Sequence, residues 1–194
     1  VQLAARVAQP GQGLSDGWGD RSPWIGVRGE SSAAPAFGDA VRAGAYLLRL
    51  AVAIRSEDAD DTRLLALQVK EKFDPQGGSD LEQIGARAGE PAASLNPLLE
   101  GATDRLEELE YDPDGLRLGA WAEAARLAAS QRDDAFFRAG DFAATLQEAE
   151  QRTAGDPDAP AAVQAIRAAL GTAGGPDWSA LATNLDALQK ALAS

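Results

Sequence analysis

The chain of 194 residues contains no cysteine, no histidine and no methionine. Without cysteine and histidine there is no thiolate nucleophile, no Ser-His or Cys-His relay, no His-ligated zinc and no usual haem ligand. We therefore expect a protein that is not an enzyme, with no catalytic residue, cofactor or metal site. Cysteine-free domains occur on both sides of a membrane, so this absence does not identify a compartment.

Positive charge is also scarce, since 18 Lys and Arg stand against 30 Asp and Glu, for a net charge of -12. A nucleic-acid surface needs clustered Lys and Arg, so we expect no nucleic-acid partner. The same sign disfavours anionic lipid. The longest apolar stretch, residues 43–54, is interrupted by Arg49 and is shorter than the ~20 residues that a membrane-spanning helix requires. We expect no direct insertion into a membrane.

The chain begins with Val1 rather than with methionine. A cleaved secretory signal is one cause of such a start, and a shortened or incomplete sequence is another. On this feature we expect an exported protein, periplasmic or extracellular, with a cytoplasmic location as the alternative.

Residues with branched β-carbons are few, whereas Ala and Leu supply most of the 45% hydrophobic content. This balance favours close-packed helices over sheets. Turn signals near residues 74–78, 112–115 and 153–160 divide the chain into segments in which apolar residues recur every three or four positions. We predict an all-α array or bundle of about seven to eight helices, built as tandem helical hairpins in residues 38–194.

The predicted helices follow these apolar stripes. They are expected at 39–55, from the acidic turn 57–61 to Phe73, at 80–88, 91–111, 116–130 and 135–152, around Val163 to Leu170, and at 178–192. Ser79 and Glu82 have the spacing of a capping box. Leu64, Leu65 and Leu67 are expected on the buried face of the second helix, and Pro97 lies early enough in its helix to be tolerated. A seam that steps by three, four, three and four residues is expected inside the fold, and it consists of Trp178, Leu181, Leu185, Leu188 and Leu192.

An internal echo at a constant offset of 75 residues predicts a duplication. It pairs Arg42, Gly44, Ala45 and Tyr46 with Arg117, Gly119, Ala120 and Trp121, and continues in Ala53/Ala128, Asp58/Asp133 and Arg63/Arg138. A shorter echo, at an offset of 38, relates residues 73–77 to 111–115. Repeats of this size are usually helix pairs that bury their apolar faces by stacking. Leu118, Gly119 and Trp121 resemble part of the tetratricopeptide motif, although the aromatic falls one residue early and no function follows.

The matched aromatics Tyr46 and Trp121 have two interpretations. They could line a small-ligand pocket between the two related hairpins. Alternatively, each ring fills a core between helices while Gly44 and Gly119 let a neighbouring helix approach, which is how such residues are usually used.

Residues 1–37 are expected to form an extended, irregular arm, because glycine and proline disfavour helix and no strand pattern replaces it. Large aromatics are unusual in disordered tails, so Trp18, Trp24 and Ile25 should dock on a surface. That surface is either the chain's own helices or a protein partner, and we name these three residues as candidate partner-binding residues.

The acidic residues could bind a metal ion or could form an ordinary solvated surface. Glu110, Asp112 and Asp114 match positions one, three and five of a calcium loop, but the twelfth position is Trp121 instead of Glu. A turn after a solvated helix explains the same residues. The echoed arginines are expected to pair with the local carboxylates Asp39, Asp58, Asp133 or Asp134.

These patterns favour a non-catalytic structural or scaffold protein that binds other proteins, possibly as an accessory subunit of a larger assembly, because stacked helical hairpins present broad surfaces. The alternative is a small-ligand binding protein that uses the space around Tyr46 and Trp121.

Overall fold

The computed structural model describes residues 2–8, 35–172 and 174–194, and the regular secondary structure of these ranges is entirely α-helical. The all-α prediction is therefore confirmed. The ten helices of the described residues are α1 (Gln2–Val7), α2 (Phe37–Arg55), α3 (Ala59–Phe73), α4 (Ser79–Ala86), α5 (Ala92–Glu108), α6 (Pro113–Gln131), α7 (Asp134–Arg138), α8 (Gly140–Arg152), α9 (Ala159–Leu170) and α10 (Trp178–Leu192).

Two differences account for ten helices where seven or eight were expected. Helix α1 lies within the arm that we expected to be extended. The helix predicted at residues 135–152 is divided at Ala139, whose extended backbone caps the end of α7 and the start of α8. The break accompanies close packing of the rings of Phe137 and Phe142, whose centroids are 5.0 Å apart.

The chain forms two compact units, residues 1–120 and 121–194, with the boundary inside α6. The core of the first unit is supplied mainly by α2, in which 14 of 19 residues are buried. In the second unit, α10 packs on α9. The four leucines of the predicted seam are buried, since Leu181, Leu185, Leu188 and Leu192 are each at most 1% exposed, whereas Trp178 at its start is only partly buried.

The offset of 75 is visible in the backbone at the ends of α2 and α6. Each helix ends in a non-glycine residue with left-handed backbone, Glu57 (φ 57°) and Arg132 (φ 56°). In both places the next N–H, that of Asp58 or Asp133, donates to a carbonyl five residues back, which is a Schellman ending. Each of these aspartates then caps the following helix. The echo therefore encodes the same helix–turn–helix junction twice.

Two echoed glycines allow α2 and α6 to cross at backbone contact. A Cβ placed on Gly44 would lie 1.9 Å from the carbonyl oxygen of Leu116, and one on Gly119 would lie 1.9 Å from the carbonyl oxygen of Val41. Glycine is required at both positions, because any side chain would overlap main-chain atoms of the facing helix. The packing role considered for these glycines is thus confirmed.

The offset of 38 also corresponds to a direct contact. The Tyr111 hydroxyl donates to the Phe73 carbonyl oxygen at 3.1 Å, and the two rings meet edge to face with centroids 6.2 Å apart. The equivalent aromatic residues of the shorter echo therefore pack on each other.

Three local expectations can be compared with the structure. Leu64 and Leu67 are 52% and 51% exposed, so they do not belong to the buried face of α3. The capping box at Ser79 is wrong, because Gly78 occupies the cap position with a left-handed backbone and no side-chain bond. Helix α5 runs through Pro97 as predicted.

No helix in the described ranges combines the length and apolar character needed to cross a bilayer.

The Asp58 cap should be measurable. Its Oδ1 accepts the N–H of Asp61 at 3.0 Å, so Asp58→Ala should cost about 1 kcal/mol of unfolding free energy, measured by urea denaturation. Asp58→Asn is the matched control, because its side-chain oxygen can still accept the Asp61 N–H. Burial, followed by the charges of Asp58 and Asp60, raises the pKa of Asp61, and the Asn variant removes the first of these two charges. Equal losses in both variants would contradict the capping role.

Candidate functional site

The residues singled out from the sequence fall in three places. Trp18, Trp24 and Ile25 lie outside the described residues. Tyr46 belongs to the first unit and Trp121 to the second, and both are largely buried, with 8% and 5% of their surface exposed.

Tyr46 packs within its own unit. Its ring meets Phe73 edge to face at a centroid distance of 5.6 Å. The guanidinium carbon of Arg49 lies 5.2 Å from the ring centroid and the Lys72 ammonium 5.8 Å from it. Both distances are within the range of cation–π attraction.

Trp121 joins an aromatic cluster in the second unit. Its ring centroid is 5.4 Å from that of Phe142, which also contacts Phe136 and Phe137. Phe137 in turn reaches Trp178, at 6.0 Å. The ring therefore contributes to the core of this unit, and a ligand-binding role for Tyr46 and Trp121 stays a prediction.

The first unit contains a half-open groove of about 560 Å³ between α2, α5 and α6. We call it the acidic groove. Its floor is apolar and is formed chiefly by Leu47 and Leu48 of α2, Leu99 of α5 and Leu116 of α6. These four leucines are each less than 10% exposed, so the floor is packed and preformed. Leu3 of α1 also lines the groove.

One wall of the acidic groove carries three carboxylates from α5, those of Glu100, Asp104 and Glu107. Their spacing of four and three residues places them on one face of the helix. All three are exposed, and within the described ranges none forms an ion pair or side-chain hydrogen bond. Arg117 of α6 also lines the groove, 3.5 Å from a carboxylate oxygen of Asp114.

Sequence reasoning missed this wall. In the calcium-like group of Glu110, Asp112 and Asp114, the Asp112 carboxylate accepts the Gly115 N–H at 2.9 Å, and Asp114 pairs with Arg117. Among the described residues, no cluster of three or more acidic side chains is placed to hold a metal ion. The spacing of the carboxylates along α5 could have been recognised in the sequence. The apolar floor could not, because its leucines come from three different helices.

The echoed arginines pair locally, as expected, although partly with other carboxylates than those expected. Arg42 lies 2.6 Å from Asp39, and Arg117 pairs with Asp114 at the equivalent position. Arg63 pairs with Asp60 and Arg138 with Asp134. These are ion pairs within single helices, at least partly exposed.

A second polar cluster is buried in the second unit. Glu123 is fully buried and Arg126 is 5% exposed; the guanidinium donates to both oxygens of Glu123, at 2.7 and 3.3 Å. The Gln189 amide also donates to Glu123, at 2.9 Å, and Asp186 lies 3.8 Å from Arg126.

The pKa of Arg126 lies above its ordinary value. Burial, the largest single influence, lowers it, but the charge of Glu123, the hydrogen bonds to it and the charge of Asp186 together outweigh that effect. The guanidinium therefore stays charged, and the cluster is a satisfied network that joins α6 to α10 rather than a proton-transfer site.

Searches against protein-family models, curated proteins and solved structures found no match to this chain, so the acidic groove is interpreted from its own geometry and charge.

Proposed function

We propose that this chain is a non-catalytic binding protein that holds another protein through the acidic groove. The observation that carries the proposal is the combination of a preformed apolar floor with a wall of three carboxylates that have no ion pair with any described residue. Apolar floors supply affinity by removing surface from water, and charged rims select the partner and its orientation.

The catalytic alternative has little support in this site. General acid–base chemistry needs paired groups with separated pKa values in a sequestered cleft. Glu100, Asp104 and Glu107 are instead exposed to water. A charged surface for binding fits this environment better than a reacting pair.

Small-ligand binding is the second candidate, favoured by one observation. A volume of about 560 Å³ lies within the range of ligand pockets, about 300–1,000 Å³. The groove runs along α2 and α6, the two echoed helices, but Tyr46 does not line it.

Site-specific photocrosslinking in the native cell tests the proposal. A photoreactive residue in place of Thr103, which lines the groove beside the carboxylates, should give one defined protein adduct. Matched probes at Leu64, on the exposed face of α3, and at Gln151, exposed on α8, should not. A protein adduct from Leu64 alone would place the interface elsewhere, and a co-purifying small molecule without any adduct would favour the second candidate.

A further inference from the structure

We infer that the segment held in the acidic groove is a basic amphipathic helix of the partner protein. This inference rests on the proposed function and names the chemistry of its partner.

The first argument is charge. Three carboxylates and one guanidinium line the groove, and the whole chain carries a net charge of -12. A cationic segment is therefore attracted at long range and again at contact.

The second argument is spacing. Glu100, Asp104 and Glu107 repeat at four and three residues along α5, so they extend over about 10 Å of the helix axis. A single ammonium group would engage one of them. A helix with Lys or Arg at the same repeat can place one cation opposite each carboxylate while its other face carries apolar residues.

The third argument is the floor. Leu47, Leu99 and Leu116 are already packed, so little conformational freedom is lost when a partner docks. Helix α1 shows that the neighbouring surface of α2 accepts a helix: Ala4 and Val7 are fully buried there. Leu3 of the same helix reaches the groove. An incoming helix would extend an existing mode of packing.

The test uses the full chain and synthetic peptides in fluorescence anisotropy. The probe is a peptide of about 15 residues, enough for four turns, with leucines on one face and lysines spaced four and three apart beside them. A scrambled peptide of the same composition is the control. We expect the amphipathic peptide to bind about tenfold more tightly than the scrambled one, and more weakly as salt is raised.

Two triple variants separate the groove from the general charge. Glu100→Gln, Asp104→Asn and Glu107→Gln together should weaken binding about tenfold. Glu57→Gln, Glu71→Gln and Glu110→Gln remove the same charge from exposed positions outside the groove lining, and should change affinity by less than about threefold. All six side chains are exposed, and circular dichroism checks that each variant keeps its helices.

Several results would overturn the inference. Equal losses in the two triple variants would mean attraction by net charge alone, and equal binding of the scrambled peptide would mean that no helix is recognised. Displacement of the peptide by spermidine at equimolar concentration would identify a site for small cations. If the Thr103 probe captures a protein but no basic peptide binds, the proposed function stands and the helix inference fails; if the Thr103 probe captures nothing, the proposed function itself fails.

Discussion

Gly44→Ala should lower the free energy of unfolding by about 3 kcal/mol, at the upper end of the range for overpacked cores. The new Cβ would lie 1.9 Å from the Leu116 carbonyl oxygen and 2.8 Å from its Cα, where ordinary contact begins near 3.4 Å. Because these are backbone atoms, no side-chain rotation can relieve the overlap, and α2 and α6 must move apart. Urea denaturation followed by far-ultraviolet circular dichroism measures the loss.

Gly85→Ala is the matched control for this prediction. Gly85 lies inside α4, and a Cβ there would have its nearest neighbour at 4.0 Å. Alanine has the higher helix propensity, so this variant should gain about 0.5–1 kcal/mol of unfolding free energy.

Gly119→Ala should behave like Gly44→Ala. The double variant should cost less than the sum of the two, since one separation of the helices relieves both overlaps. A neutral Gly44→Ala would show that the helices do not meet at this distance.

Arg126→Met should destabilise the protein by about 3–5 kcal/mol, because it removes the guanidinium that donates to both oxygens of the fully buried Glu123. Breaking a buried ion pair by removing one partner costs more stability than the intact pair contributes. Hydrogen-exchange mass spectrometry of the residues in α6 and α10, together with urea denaturation, would locate the loss in the second unit.

Replacing both charged residues separates the cost of an unbalanced buried charge from the contribution of the ion pair itself. Glu123→Leu combined with Arg126→Met and Gln189→Leu removes the ion pair together with the amide that donates to it. This triple variant should recover at least half of the stability lost in Arg126→Met, since buried pairs can be replaced by apolar groups of similar volume at little cost. A loss below about 1 kcal/mol in Arg126→Met would mean that water reaches Glu123 and screens its charge.

Much of the fold was readable from the sequence because helices are encoded locally. Apolar spacing located α2, α3 and α10 to within a few residues, although it did not identify Asp58 and Asp133 as the residues that cap the next helices. The echo predicted a repeated junction, and the same hydrogen bonds and left-handed residues occur at both copies.

The remaining features depend on contacts between elements. Helix α6 has little segregation of apolar and polar faces, so its pattern could not show that Glu123 is fully buried or that Gln189 meets it from α10. The division at Ala139 interrupts a segment whose composition suits a continuous helix. The acidic groove was missed for the same reason, since its floor and wall come from different helices.

The crossing of α2 and α6 has a local symmetry. Gly44 contacts Leu116 while Gly119 contacts Val41, so each contact becomes the other when the two copies of the echo exchange places. Reciprocal contacts of this kind define an isologous interface, in which one surface patch meets its own duplicate about a two-fold axis. At this crossing, a single polypeptide makes with itself the pair of contacts that two identical subunits make in a homodimer.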